Sequence, residues 1–159
     1  MTYLTHLSCS ECGAHFNAET VQTFCPACQA PLLAGYDLAA ARQHLDRAEI
    51  SRRPPGMWRW AELLPVHHPA HRLTLGEGDA PLLPLPRLGA ELGLPYLFCK
   101  EEGRNPTGSF KARGLAAAVS KAKELGIDRL IIPTAGNAGG ALAAYAARGG
   151  LQACVIMPD

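Results

Sequence analysis

The chain has 159 residues, of which 48% are hydrophobic and 18% are charged, and its formal net charge is +1. This composition is typical of a globular protein with a buried core, and the charge is too small to attract nucleic acid through a basic surface. The sequence shows neither an export signal nor a run of about eighteen apolar residues that could span a membrane. We therefore expect a cytoplasmic protein that binds neither membranes nor nucleic acid.

Four of the six cysteines form two close pairs, Cys9 with Cys12 and Cys25 with Cys28, separated by twelve residues. Two such pairs can bring four thiolates to one tetrahedral Zn²⁺, and a closed four-sulfur site is structural because it leaves no open coordination position. The alternative is a set of redox dithiols or reduced thiols without a metal. The spacing favours zinc, and we predict that residues 1–36 form a small zinc-binding segment.

A helical linker is predicted over residues 37–75. The stretch from Asp37 to Ile50 has apolar residues at helical spacing, and Asp37 is placed to act as its N-cap. The apolar positions that would share the buried face are Leu38, Ala41, Leu45 and Ala48. A Pro-interrupted region follows, with a short helix predicted from Trp58 to Leu64, and then a largely extended stretch.

Residues 76–159 alternate between strand and helix patterns at short spacing, which is typical of βαβ units in an α/β fold with a parallel sheet. Strands are predicted from Tyr96, over 128–134 and over 151–159. Helices are predicted over 110–125, with Ser109 as the cap and Gly126 as the end, and over 137–148. Because the pattern stops directly after a strand, we expect a further carboxyl-terminal part to complete this region.

Two further cysteines, Cys99 and Cys154, lie within predicted strands of this region. Isolated cysteines in strands behave most often as small apolar residues. We therefore predict that both side chains are buried, with no chemical role.

The loop NPTGSFKARG, residues 105–114, places Lys111 in the first turn of a predicted helix. The helix dipole disfavours a positive charge at this end by about 0.3 to 1 kcal/mol, which favours the neutral amine. Only a neutral amine attacks an aldehyde, so Lys111 is a candidate for Schiff-base chemistry. The alternative is an ordinary solvated lysine.

A second loop, PTAGNAGGA at residues 133–141, leads from a predicted strand into a helix. Its glycines allow close approach of the backbone to a ligand, and the N–H groups of the helix start can bind a carboxylate or phosphate. Ligands of open α/β sheets usually bind at this edge. An ordinary Gly-rich turn is the alternative, and the glycine spacing does not match the GxGxxG pattern of nicotinamide enzymes.

Three segments taken in order resemble the amino-terminal half of the threonine synthases, which are pyridoxal-phosphate enzymes of the tryptophan synthase β-like fold, also called fold type II. The segments are GEGDAPLLPLPRLGAELG (76–93), YLFCKEEGRNPTGSFKARG (96–114) and PTAGNAGGALAAYAARGG (133–150). The preceding CPACQAPLLAGYDL and WRWAELLPV resemble the amino-terminal extension of one branch of that family. Residues 1–36 would then be zinc-ribbon-like, and residues 76–159 would be part of the catalytic domain.

The resemblance implies that Lys111 holds pyridoxal 5′-phosphate as a Schiff base and moves protons at Cα and Cβ of the substrate. Asn137 would hydrogen-bond the phenolic oxygen of the cofactor, and Phe110 would lie beside its pyridine ring. The substrate carboxylate would be bound by the loop residues Thr134, Ala135, Gly136, Asn137 and Ala138. The implied reaction converts O-phospho-L-homoserine and water to L-threonine and phosphate.

The sequence departs from the family pattern in two residues and in length. Ala112 replaces an aspartate found in many relatives, and Ala135 replaces a hydroxyl residue of the substrate loop. The family's second half contains the loop that cradles the cofactor phosphate and the residue that faces the pyridine nitrogen. We therefore expect residues 1–159 alone to bind the cofactor poorly and to turn over no substrate, and the full-length protein to be a homodimer.

Two other functions stay open at this point. A paralogue with the same fold and lysine could act on another phospho- or hydroxy-amino acid, as cysteate synthase-like or threonine dehydratase-like enzymes do. A non-catalytic zinc-binding module or remnant could also retain these motifs.

Overall fold

The computed structural model describes residues 2–158, and within them it has seven strands and five α-helices. The strands are β1 (Leu4–Cys9), β2 (His15–Phe16), β3 (Leu32–Tyr36), β4 (Leu82–Pro84), β5 (Phe98–Lys100), β6 (Arg129–Pro133) and β7 (Gln152–Ile156). The helices are α1 (Leu38–His44), α2 (Arg47–Arg52), α3 (Pro86–Glu91), α4 (Lys111–Glu124) and α5 (Asn137–Gly149). No helix within 2–158 is both long and apolar enough to cross a membrane.

The amino-terminal strands form an antiparallel sheet in the order β2-β1-β3. Leu7 at the centre of β1 lies opposite Phe16 on one side and Ala34 on the other. The buried apolar cluster of this segment consists of Cys9, Cys25 and Ala30. A core of this size cannot supply the folding free energy that larger domains obtain from burial.

The linker helix predicted over 37–50 is two helices in the structure. Asp37 caps the first helix as predicted, because its side chain accepts a hydrogen bond from the Ala40 N–H at 2.9 Å. Asp46 caps the second helix in the same way, accepting from the Ala48 N–H at 2.8 Å. The aspartate carboxylate competes with the backbone for these N–H groups, so α1 ends and α2 begins at this point.

The break also changes which side chains are buried. Leu38 is 67% exposed, and Ala48 is exposed as well, so the predicted apolar face is wrong at both positions. Ala41 and Ile50 are the buried residues of α1 and α2. The short helix predicted from Trp58 is confirmed as a 3₁₀ helix at Met57–Leu63.

The prediction of a parallel three-stranded sheet is correct for two strands and wrong for the third. Strands β6 and β7 pair in parallel, with α5 as the crossover between them. Strand β5 instead pairs antiparallel with β4, a segment that was expected only to be extended. Strand β4 could not be recognised in the sequence because of its prolines. Proline is compatible with pairing at a sheet edge but does not indicate a strand.

Helices α4 and α5 pack against each other, and α5 packs against β6 and β7. The core combines two alanines of α4, Ala112 and Ala116, with larger apolar side chains. Its buried members are Met57, Leu73, Ala112, Ala116, Val119, Leu142 and Tyr145.

The ends of α4 agree with the sequence. Ser109 has an extended backbone, and its Oγ accepts a hydrogen bond from the Lys111 N–H at 3.3 Å. At the other end, Gly126 has a φ of +74° and donates its N–H to the Lys123 carbonyl at 3.1 Å. Both terminal predictions are confirmed.

The prediction that Cys99 and Cys154 are buried is wrong, because both side chains are exposed. Cys99 lies on the two-stranded β4–β5 ribbon, and Cys154 lies opposite Ile131 in the β6–β7 pair. Ile131 itself is 65% exposed. Parallel sheets are normally covered on both faces, so this face is bare among the residues that the structure describes.

A polar cluster joins the Cys-rich segment (residues 2–36) to α4. Lys121 Nζ lies 3.0 Å from both carboxylate oxygens of Glu19 and 2.9 Å from Glu124 Oε2. Burial opposes ionisation of Glu124, but hydrogen bonds from the His68 N–H and from Lys121 outweigh it and lower the pKa of Glu124 to about 2. The segment is therefore attached to α4 by charged groups.

Candidate active site and cysteine cluster

The two loops singled out in the sequence lie at the same edge of the parallel strand pair. Helix α4 precedes β6 and α5 follows it, so both helices begin at the carboxyl end of β6. Lys111 is the first residue of α4 and Asn137 is the first residue of α5. Helix α5 also contacts the turn at Pro106–Gly108 that leads into α4. This edge is where open α/β sheets bind ligands.

The Lys111 side chain is exposed at this edge. Its Nζ lies 5.0 Å from the centroid of the Phe110 ring, which is itself 59% exposed. The amine and the aromatic ring are thus side by side and open to a ligand.

The turn before the lysine has an unusual backbone. Thr107 has a φ of +64° and Gly108 a φ of +70°, so two successive residues are left-handed. A β-branched residue rarely adopts this conformation, and its occurrence next to a reactive group is typical of functional loops. The Gly108 N–H donates to the Asn105 carbonyl at 3.0 Å and closes the turn.

The ion pair between Glu102 and Arg113, which we did not predict from the sequence, stabilises this loop. Glu102, ahead of the loop, accepts hydrogen bonds from Arg113 Nε at 2.7 Å and Nη2 at 2.9 Å. Glu102 also accepts from Asn105 Nδ2 at 2.7 Å. The hydrogen bonds from Arg113 lower the pKa of Glu102. Residues on both sides of Lys111 are therefore tied together.

The 133–141 loop forms a tight entry into α5. Thr134 Oγ1 accepts the Gly136 N–H at 3.2 Å, so this hydroxyl is engaged within the loop itself. No side chain of the described residues caps α5, and the N–H groups of Asn137 and Ala138 lie in its first turn, where the helix offers no acceptor. Ala135 and the Asn137 side chain are exposed. The loop can offer N–H groups and one side-chain amide to an anionic or polar ligand.

Gly139 lets α5 approach the sheet closely. A Cβ at this position would lie 2.6 Å from Val155 Cγ1 and 2.8 Å from Thr134 Cγ2. Any larger residue would push the start of α5 away from β7. The glycine pattern of the loop therefore serves helix packing as well as access to the backbone.

Ala112 lies in the core and is fully buried. An aspartate here would place a carboxylate in an apolar environment, at a large desolvation cost. The packing of this chain therefore accounts for the alanine.

The four paired cysteines form one cluster. Their sulfur atoms all lie within 4.8 Å of one another, and the pairs Cys9–Cys28 and Cys12–Cys25 are 3.4 and 3.6 Å apart. In a tetrahedral site with Zn–S bonds of about 2.3 Å, the sulfurs are separated by about 3.8 Å. The donor set and the spacing therefore fit Zn²⁺.

The backbone around the cluster favours thiolates at some positions. The Cys12 N–H, 3.4 Å from Cys9 Sγ, and the Glu11 N–H lower the pKa of Cys9 to about 6. At Cys28, the Ala30 N–H acts in the same direction, but the three neighbouring cysteine sulfurs and burial together outweigh it and raise the pKa of Cys28 to about 12. Four thiolates at this distance repel one another, and a bound cation would relieve that repulsion.

Residues 73–159 match the family model of pyridoxal-phosphate dependent enzymes, and the chain belongs to this family. Membership implies the tryptophan synthase β-like fold, of which the parallel β6–α5–β7 unit is a part.

The curated relatives are threonine synthases. The chain is 38% identical to the threonine synthase of Methanosarcina acetivorans over 153 residues, which are 96% of this chain and 37% of that protein. It is 36% identical to the Methanocaldococcus jannaschii protein over 151 residues, 95% of this chain and 37% of that one. Against the Halalkalibacterium halodurans protein it is 49% identical over 100 residues, 63% of this chain and 28% of the relative. The matched residues thus span between 28% and 37% of the length of these relatives.

Proposed function

We propose that this chain supplies the amino-terminal part of a pyridoxal-phosphate-dependent threonine synthase, which converts O-phospho-L-homoserine and water to L-threonine and phosphate. The observation that carries the proposal is the exposed Lys111 at the start of α4, beside the Asn137 loop at the same strand edge. The similarity to threonine synthases over 96% of the chain supports the choice of reaction.

Each residue at this strand edge has a separate role in the proposed reaction. Lys111 would hold the cofactor through its aldehyde group and would carry protons between Cα and Cβ of the substrate. The Asn137 amide would donate a hydrogen bond to the cofactor's phenolic oxygen, and Phe110 would border its ring. The N–H groups of Ala135, Asn137 and Ala138 would bind the substrate carboxylate. Those of Thr134 and Gly136 already donate to the Ile156 carbonyl and to Thr134 Oγ1. When bound, pyridoxal phosphate supplies the electron sink for the elimination and the addition of water.

Catalysis in this proposal needs a carboxyl-terminal part like the one that makes up the rest of the relatives. Residues of that part would hold the cofactor phosphate and face the pyridine nitrogen, and they would cover the bare face of β6 and β7. Residues 1–159 alone therefore bind the cofactor weakly and release no phosphate, and the completed protein is a homodimer.

The second element of the proposal is a structural Zn²⁺ bound by Cys9, Cys12, Cys25 and Cys28 in a zinc-ribbon-like segment. The sulfur spacing and the small apolar cluster of the segment support it. The metal stabilises the fold and takes no part in the reaction, because four cysteines leave no coordination position for a substrate.

The test joins residues 1–159 to the carboxyl-terminal part of the M. acetivorans threonine synthase and measures threonine and phosphate released from O-phospho-L-homoserine. We expect activity in this fusion, none in its Lys111→Ala variant, and retained activity in Lys100→Ala, an exposed lysine of β5. An active Lys111→Ala variant would contradict the assignment. Turnover of a different phospho- or hydroxy-amino acid in place of this substrate would identify a paralogue.

A further inference from the structure

The turn at residues 74–78 contains a buried glutamate, Glu77, whose side chain contacts α5. Glu77 is fully buried, and its Oε2 accepts hydrogen bonds from Tyr145 Oη at 2.6 Å, the Leu75 N–H at 3.0 Å and Thr74 Oγ1 at 3.2 Å. Its second oxygen, Oε1, is buried without a hydrogen-bond partner among residues 2–158. An apolar side chain of similar size would avoid this desolvation cost. Packing alone therefore does not explain a glutamate here.

The partner of Glu77 belongs to the helix that begins at Asn137. Tyr145 is fully buried and lies eight residues, or about two turns, after Asn137 on α5. Burial and the neighbouring carboxylate both raise the pKa of Tyr145, so its hydroxyl remains a hydrogen-bond donor. The Tyr145–Glu77 bond thus fixes α5 to the 74–78 turn.

Gly78, the next residue of the same turn, forms a hydrogen bond to the loop that contains Lys111. The Gly78 N–H donates to Asn105 Oδ1 at 3.0 Å, and Asn105 is the buried first residue of the NPTG turn. Gly78 has a φ of +101°, and a Cβ there would lie 2.5 Å from the Met57 backbone nitrogen. Two adjacent residues of the turn therefore contact both sides of the site: Glu77 contacts the helix that begins at Asn137, and Gly78 contacts the loop that contains Lys111.

We propose that Glu77 is a positioning residue, which together with Gly78 fixes the Asn137 loop relative to the Lys111 loop so that one cofactor can contact both side chains. The inference rests on the proposed function, because it concerns the cofactor that Lys111 binds. Glu77 acts through Tyr145 and α5 and does not itself touch the cofactor.

The test uses residues 1–159 joined to the carboxyl-terminal part of the M. acetivorans threonine synthase, with saturating pyridoxal phosphate, borohydride reduction and peptide mass spectrometry. Reduction traps even weakly bound cofactor, and the ratio of label on Lys111 to label on the exposed Lys100 measures specific binding. We expect Tyr145→Phe to lower this ratio about fivefold, the usual effect of losing one hydrogen bond. Tyr36→Phe is the matched control, since Tyr36 lies on β3 outside these contacts, and it should leave the ratio unchanged.

A double variant separates positioning from a general loss of stability. If Glu77 acts through Asn137, then Tyr145→Phe should not lower the labelling ratio further in a chain that already carries Asn137→Ala. If Tyr145→Phe instead destabilises the whole fold, it should lower the ratio in that chain as well. Glu77→Gln, which keeps an acceptor for Tyr145, should retain more of the ratio than Glu77→Ala. Circular dichroism confirms that each variant is folded.

The outcomes are distinct. A wild-type ratio in folded Tyr145→Phe, or additive effects in the double variant, would overturn the role of Glu77 and leave the function of Lys111 intact. Equal labelling of Lys111 and Lys100 in the fusion that carries no substitution would overturn the proposed function and this inference together.

Discussion

The Cys-rich segment and the α4–β6–α5–β7 region are stabilised in different ways. The buried apolar cluster of the segment is Cys9, Cys25 and Ala30, two of which belong to the sulfur cluster. The buried apolar cluster of the second region has seven residues, contributed by the linker, α4 and α5. Apolar burial can maintain the second region, whereas the first depends on what its sulfurs bind. The comparison predicts that metal removal and core substitutions affect different parts of the chain.

The largest expected effect is that of metal loss on the Cys-rich segment. Structural zinc contributes about 10 to 16 kcal/mol to the folding of small metal-binding modules, so Cys25→Ser should unfold residues 2–36 and abolish zinc binding. Zinc content and amide hydrogen exchange measure the two effects. The control is Cys99→Ser, an exposed cysteine outside the cluster, which should bind one zinc ion. Equal zinc content in both variants would rule out the four-cysteine site.

The second prediction concerns the core of the other region. Ala112→Asp should lower the free energy of unfolding by about 3 to 5 kcal/mol, because it buries an unpaired carboxylate. Urea denaturation measures the change. Ala118→Asp, at an exposed position of the same helix, should cost less than about 1 kcal/mol. Similar losses in both variants would show that Ala112 is not in a packed core.

The third prediction concerns the contact between the two regions and its dependence on pH. The pKa of Glu124 is lowered to about 2, so its contribution is present above the ordinary carboxyl pKa of about 4.3 and disappears as the pH falls towards 2. Its loss should cost about 2 to 3 kcal/mol. Glu124→Gln should therefore weaken the pH dependence of urea unfolding in this range. The control is Glu91→Gln, at the exposed end of α3, which should leave the pH dependence unchanged. A pH dependence of Glu124→Gln equal to that of the wild type would contradict the lowered pKa of Glu124.

The smallest expected effect is at the end of α4. Gly126→Ala should destabilise the chain by about 1 kcal/mol, because the residue has a φ of +74°. Gly114→Ala, inside the same helix with no atom within 4 Å of the added Cβ, should instead stabilise it by about 0.5 to 1 kcal/mol. Thermal unfolding of the two variants should shift in opposite directions. A shift in the same direction would contradict the described helix end.

Features set by local sequence were predictable. The caps at Asp37 and Ser109, the end at Gly126 and the β6–α5–β7 unit follow from patterns within a few residues, and all are confirmed. The edge position of Lys111 also follows, because a helix that precedes a strand begins at that strand's carboxyl end.

Features set by distant contacts were not predictable in the same way. The pairing of β5 with β4 depends on a proline-flanked partner, and the exposure of Cys154 depends on what covers the sheet. Glu77 is the clearest case, since its partner Tyr145 lies 68 residues away in the sequence. In the sequence, a glutamate that becomes buried has the same pattern as a surface glutamate, because its hydrogen-bond donors come from residues that only the fold brings close. The two glycines beside it were the only local signal of an ordered turn.

The measurement that tests the central claim most directly is borohydride trapping of pyridoxal phosphate on residues 1–159 joined to the carboxyl-terminal part of the M. acetivorans threonine synthase, with the labelled lysine identified by mass spectrometry. The account predicts that the label lies mainly on Lys111 and that Lys111→Ala abolishes this specific labelling without unfolding the chain. Label distributed equally between Lys111 and Lys100, or unchanged total labelling of the Lys111→Ala variant, would contradict it.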